Sequence, residues 1–343
     1  MDLPGPTPIQ FGPSGWSAVM ARDFTFANVR LAAQGVAEYL KSQLADPRSP
    51  IHGRPPRVII AHDCRFLGPQ FALAAAEVLT AAGLSPLLCN RDTPAPALAC
   101  AIRQRRAIGG INITAGDNPP EYSGFKFSRY DGADAAPDVA RQIEAAIARL
   151  QRENWNFPAV VIGTFRAKTI DPRPDYFRHI EKLVDFAAIR KARLKIAVDL
   201  MYGCGRGYLD TLLLKAGAEL TVFHNESDAF FGGHPPEPNA KNLAEVRQAI
   251  RRGQAQLGLA TDGDASHFGV VDENGTLLTP SRILALTRYH LEKNRNWTGS
   301  PGLSAEGLLP ENDGILSCLL MAELAACGQK LGTILPGAQD ALQ

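Results

Sequence analysis

The sequence lacks an excess of either charge: 36 lysines and arginines against 35 aspartates and glutamates leave a formal net charge of +1 over 343 residues. That balance offers no basic footprint for nucleic acid and no cationic face for a membrane surface. A disulfide or zinc framework is missing too. Cys64, Cys89, Cys100, Cys204, Cys318 and Cys327 contain no C-x-x-C pair and no structural-zinc spacing with histidine, in a chain large enough to build a core without staples. A reducing cytoplasm is the expected compartment. Long apolar runs are absent: Ile315 to Cys327 is broken by Glu323 and too short to span a bilayer, and Met1 to Pro6 has no basic n-region of a secretion signal. The seven histidines are scattered, and no Ser/His/Asp or Cys/His arrangement has a recognisable spacing.

What is present is a globular composition, 45% hydrophobic and 21% charged, at a length that suits two or three domains. Apolar periodicity predicts a helix over 24–44, then a strand at Val58-Ile59-Ile60-Ala61, Asp63, a turn at Gly68-Pro69, a helix to Ala82, and a strand at 86–89. A helix over 93–106 and a strand over 110–114 follow. After a further helix at 135–152 and a proline-containing join near Asn156, the pattern recurs. Ile196-Ala197-Val198-Asp199 leads through a glycine-rich turn at 202–207 into a helix and the strand 219–223. Asp63 and Asp199 occupy equivalent places, which predicts two related α/β domains with largely parallel sheets and ligand loops beyond the strand ends.

Two such loops carry candidate chemistry. Thr261-Asp262-Gly263-Asp264-Ala265-Ser266-His267 places two carboxylates after an apolar strand, a setting suited to magnesium. Asp262, Asp264 and His267 could instead hold a transition ion, and a solvated hairpin turn accounts for the same residues. Thr114 to Pro120 offers backbone donors for a phosphate and one carboxylate, Asp117, although an Asx turn also fits. Phe11-Gly12-Pro13-Ser14-Gly15-Trp16 and Gly232 to Pro238 read either as binding loops or as connectors.

Taken together, these residues resemble the α-D-phosphohexomutases, the phosphoglucomutase and phosphomannomutase enzymes. The resemblance is carried, in the order seen in that family, by Phe11-Gly12-x-Ser14-Gly15-Trp16, Asp63-x-Arg65, Thr114-Ala115-x-x-Asn118-Pro119-Pro120, Tyr122-x-Gly124-x-Lys126, Gly232-Gly233-x-x-Pro236-Glu237-Pro238 and Asp262-Gly263-Asp264-Ala265. It implies tandem related α/β/α domains with mainly parallel mixed sheets: domain 1 over 1–155, domain 2 over 156–299, and 300–343 as the end of a mostly missing third domain, with the fourth absent. It also implies a phosphoserine that moves a phosphoryl group between C1 and C6 of a hexose, and magnesium held by three aspartates.

The family pattern breaks where that chemistry resides. Gly116 stands at the phosphoserine position and Asp117 at the following histidine. Ser266 replaces the third magnesium aspartate and His267 the neighbouring arginine, while Pro13 and Ser17 stand where threonine and arginine are common. Asp117, Lys126 and Arg65 are the candidates for residual catalytic roles. The resemblance assigns phosphate and sugar binding to Ser14, Arg65, Asn118, Lys126 and Glu237, and a weakened magnesium site to Asp262 and Asp264.

The expectation is a pseudoenzyme that acts by binding. A magnesium-dependent phosphotransferase or phosphatase using Asp117, or a phosphosugar sensor, is the alternative. A second copy or a protein partner is expected to cover surface left by the missing domain, a phosphohexose is the candidate ligand, and neither nucleic acid nor membrane is expected.

Overall fold

The computed structural model describes residues 9–12, 15–155, 167–295, 313–328 and 330–334. They form two units that divide between Asp175 and Tyr176. The first contains β1 (Trp16–Val19), α1 (Phe26–Ala45), β2 (Arg57–His62), α2 (Gly68–Ala81), β3 (Ser85–Cys89), α3 (Ala95–Gln104), β4 (Gly109–Ile113), β5 (Tyr122–Arg129), α4 (Pro137–Arg152) and β6 (Lys168–Ile170). Its sheet runs β1-β5-β4-β2-β3-β6. β2, β3, β4 and β6 are parallel, and β5 and β1 turn the far edge antiparallel.

Helix α1 begins at Thr25, whose hydroxyl accepts the Asn28 N–H at 3.3 Å. Val29, Ala32, Ala33, Val36 and Leu40 recur at helical spacing and bury one face against α2, α4 and the sheet. On α4 the matching stripe is Val139, Ile143, Ile147 and Leu150. Alternation along the buried strands sorts their side chains: Val58 and Ile60 join this core, while Ile59 and Ala61 face a second core with Leu98 and Ile102 of α3. Trp16 stacks on Phe24, which meets Phe71 edge-on and fixes the N-terminal strand to the helical layer.

Around the second sheet are α5 (Arg173–Leu183), α6 (Phe186–Ala192), β7 (Lys195–Asp199), α7 (Leu209–Lys215), β8 (Glu219–Phe223), α8 (Ala244–Arg251), β9 (Leu257–Thr261), β10 (Phe268–Val271), α9 (Pro280–Arg295) and α10 (Gly314–Ala326). The strand order is β10-β9-β7-β8. This repeats β5-β4-β2-β3 of the first unit, with three parallel strands and one antiparallel edge. The expected duplication is therefore present in the topology.

Two boundaries differ from the expectation. β6 pairs with β3, so the first unit continues beyond 155. The described residues after 312 belong to the second unit instead of forming a separate remnant, because α10 packs on β9, β10, α6, α7 and α9. Ten residues of α10 are buried, so the run from Ile315 to Leu324 is covered by its own chain, while Cys327 is exposed. Its termini are tied down by buried acids. Asp313 accepts the Leu316 N–H at 2.8 Å and the Tyr176 hydroxyl at 2.8 Å. Glu323 accepts the Asp185 N–H at 2.9 Å and lies 3.0 Å from His290 Nε2. No helix among the described residues is long and apolar enough to cross a membrane.

Glu323→Ala strands the Asp185 N–H and removes the carboxylate beside the buried His290 ring. The expected cost is about 3 kcal/mol, read as a lower urea midpoint with the m-value unchanged.

Candidate functional site

In the first unit the site is built on the hairpin between β4 and β5. Asp63, just past β2, accepts the Arg65 N–H at 2.9 Å, Arg65 Nε–H at 3.0 Å and the Thr114 hydroxyl at 2.7 Å. Thr114 Oγ1 in turn accepts the Gly116 N–H at 3.0 Å. From its two terminal nitrogens Arg65 donates to the carbonyls of Pro119 and Tyr122, and of Gly116 and Asn118, at 2.7–3.0 Å. All five guanidinium donors are thus engaged inside the protein, and the side chain is buried. This corrects its assignment to phosphate binding and residual catalysis: Arg65 is a strut that shapes the 116–122 loop.

Asn118, half-buried, donates from its side-chain amide to the Ala115 carbonyl at 2.7 Å and closes the turn. Asp117 is exposed at the loop tip, and Gly116 is buried beneath it with φ of +58°. The glycine in Tyr122-x-Gly124-x-Lys126 has a steric cause, since a Cβ there would sit 2.3 Å from the Thr114 carbonyl oxygen. Lys126, half-buried on β5, lines a small crevice with Gly12, Gly15 and Asp134 and so meets the N-terminal loop motif. Ser14 and Pro13 lie outside the described residues.

In the second unit the corresponding hairpin, between β9 and β10, carries Asp262 and Asp264, both fully buried. Asp262 accepts the His267 N–H at 2.9 Å and faces His267 Nδ1 at 3.1 Å. Asp264 accepts the Ser266 N–H at 3.1 Å and its hydroxyl at 2.5 Å, and that hydroxyl is also 3.4 Å from Asp262. Burial, reinforced by the Asp264 carboxylate, pushes the Asp262 carboxyl up to about 6, and His267 offsets part of the rise.

The two residues that depart from the family pattern therefore occupy the carboxylate oxygens with their own donors. No group of three His, Cys, Asp or Glu side chains able to hold a metal occurs among the described residues. The loop does not present the three-carboxylate set of a magnesium site, and Asp262, Asp264 and His267 do not form a transition-metal triad. Glu237 is exposed on the proline-rich loop, where it accepts the Asn239 side-chain amide at 3.0 Å.

A further constellation was not legible from spacing. Asp199 at the end of β7 accepts the Met201 N–H at 2.9 Å, as Asp63 does for Arg65, and is 2.9–3.0 Å from Nδ1 of His224, just past β8. Tyr202 lies against the imidazole at 4.6 Å, and Glu245 is 3.4 Å from Nε2. Its one sequence signal was the repeat itself, which marks both aspartates as strand-end anchors.

Tandem α/β/α domains, with T-A-x-x-N-P-P and D-G-D-A loops on corresponding hairpins, define the α-D-phosphohexomutase architecture. Residues 8–154 match the family model for phosphoglucomutase/phosphomannomutase α/β/α domain I, and 174–275 match that for domain II. The chain belongs to the phosphoglucomutase/phosphomannomutase family. It is 29% identical over 280 residues to the probable phosphoglucosamine mutase of Methanosphaera stadtmanae, covering 81% of this chain and 58% of that protein. With the probable phosphoglucosamine mutase of Methanopyrus kandleri it shares 31% identity over 234 residues, 67% of this chain and 49% of the relative. The chain thus spans about half the length of the curated relatives it matches. A crystal structure from Thermus thermophilus, named for phosphomannomutase, superposes with a TM-score of 0.83 at 26% identity, covering 98% of this chain and 84% of its own.

Arg65→Lys removes most of the carbonyl contacts and leaves a buried ammonium. The expected loss is about 3–5 kcal/mol, with hydrogen exchange accelerated across 114–122.

The hydrogen bond to Asp199 raises the His224 imidazole above its ordinary 6.5, against an opposing effect of burial. A raised folded value means that the pair's contribution is complete below pH 6.5 and fades as pH rises through the folded value. The stability difference between the native protein and His224→Gln is expected to shrink above pH 6.5, measured by urea unfolding at a series of pH values.

Proposed function

We propose that this chain is a phosphohexomutase-derived binding protein without phosphoglucomutase or phosphomannomutase turnover. One observation carries the reading: the loop that Arg65 and Asp63 hold in place has Gly116 at the phosphoserine position, with no side chain to receive a phosphoryl group. Loss of a nucleophile that works as part of a unit costs on the order of 10⁶ in rate. The internally bonded Asp262 hairpin supports the same reading, because phosphoryl transfer depends on charge placed around the transferring group. We further propose that the protein acts in the cytoplasm without magnesium, that Lys126 and the 114–118 backbone receive a phosphohexose or hexosamine phosphate, and that a protein partner or second copy reads out that binding.

A second reading uses Asp117, whose exposed carboxylate beside Gly116 could accept a phosphoryl group as an aspartyl phosphate. A coupled mutase and phosphatase assay with hexose phosphates, hexosamine phosphates and millimolar magnesium separates the two. The expected result is no turnover, together with a melting temperature that magnesium alone moves by less than about 2 °C. Turnover that disappears in Asp117→Asn would establish the second reading and end the first. Gly116→Ser with Ser266→Asp and His267→Arg tests the loop. A serine in the left-handed backbone of position 116 costs about 1–2 kcal/mol, and the triple variant is expected to regain a magnesium-dependent rise in melting temperature.

A further inference from the structure

At the end of β4 and β5 opposite the Gly116 hairpin lies a cavity of about 230 Å³. It opens beside Arg129 at the end of β5, which pairs with Gly109 at the start of β4, whereas Gly116 follows the other end of that strand. Three rings line it, Tyr39, Phe127 and Tyr130, together with the aliphatic side chains of Ile51 and Val139 and the polar side chains of Gln43, Ser49 and Arg129. Tyr39 and Phe127 meet edge-on with centroids 5.8 Å apart. The walls come from α1, the loop after it, β5 and α4, all elements of the packed core.

One arginine, Arg129, lines the cavity, and a second, Arg54, stands over one of its rings. Arg129 pairs with Asp131 through a terminal nitrogen, but its Nε–H is shielded from solvent and meets no acceptor. Arg54 lies 4.8 Å from the Tyr130 ring centroid and has no carboxylate partner among the described residues. A buried donor without an acceptor is costly. The volume falls below the roughly 300–1,000 Å³ of pockets for drug-sized ligands and suits a single ring. The three rings and the aliphatic side chains offer apolar surface to a flat ring, and Arg129 offers a buried donor to an anion.

We propose that this cavity binds a monocyclic aromatic carboxylate, its ring among Tyr39, Phe127 and Tyr130 and its carboxylate toward Arg129 and Arg54. The site is independent of the Gly116 and Asp262 hairpins and of the function proposed for them. Benzoate is the probe, with benzyl alcohol and cyclohexanecarboxylate as comparators, titrated into the full chain and followed by saturation-transfer NMR. Benzoate is expected to bind with a Kd of about 1 mM or tighter. Arg54→Gln and Arg129→Gln are each expected to weaken it about tenfold, and Val139→Phe, which fills the cavity, to abolish transfer. Both comparators are expected to bind at least about tenfold more weakly, and hexose phosphate is not expected to displace benzoate.

Absence of transfer from benzoate would overturn the proposal. So would benzoate binding that both arginine variants leave unchanged, or benzyl alcohol binding as tightly as benzoate. Should Val139→Phe fail to fold, the two arginine variants on half-exposed side chains decide the outcome.

Discussion

A single buried ion pair organises the first unit's functional edge. Asp63 neutralises Arg65 in a place where neither charge reaches water, and a carboxylate with three donors around it makes that burial tolerable. The guanidinium then directs its remaining donors to four carbonyls of one short loop, so the backbone from Gly116 to Tyr122 has little freedom to move. A polar loop at a strand end would otherwise leave those carbonyls to water. Here the Arg65 guanidinium takes them up instead. The strut is present although the residue at the phosphoserine position is Gly116.

The second unit repeats the device with different cations. Asp199 caps the turn after its strand as Asp63 does, but its partner is the titratable ring of His224 in place of a permanently charged guanidinium. On the neighbouring hairpin the replacement is more complete. Two buried carboxylates of like charge repel, and a divalent cation is the usual remedy. Ser266 and His267 supply hydroxyl, backbone and imidazole donors to the same oxygens, and the remaining tension appears in the raised proton affinity of Asp262. Substitutions that look like simple losses when aligned to the family pattern form a self-contained hydrogen-bonded loop in three dimensions.

Much of this architecture was legible in the residues. The repeated strand, aspartate, glycine turn and helix identified two related domains because periodicity and turn chemistry are local signals. The longest strand, β5, was obscured: Tyr122 to Arg129 interleaves glycine, lysine and serine with aromatics, and its identity comes from pairing with β4 and β1. β6 was hidden for the opposite reason, being a mostly exposed three-residue edge with no apolar pattern. Arg65 was singled out correctly as part of the loop's surroundings, but its direction was not. Sequence marks a polar residue near a site, and only the fold shows whether it points at a ligand or at the backbone. Ile315 to Cys327 carried the inverse ambiguity, since a helix apolar on all sides needs cover from somewhere, and here β9, β10 and three helices provide it.

That cover has a consequence for synthesis on the ribosome. The first unit's sheet is complete once β6 at Lys168–Ile170 has emerged, whereas the face of β9 and β10 that α10 seals stays open until residues 314–326 follow. The nascent second unit must carry an uncovered apolar sheet face through the translation of α9 and the segment after it. The two halves of this molecule thus mature on different clocks, and the later one is where a holdase would find its substrate.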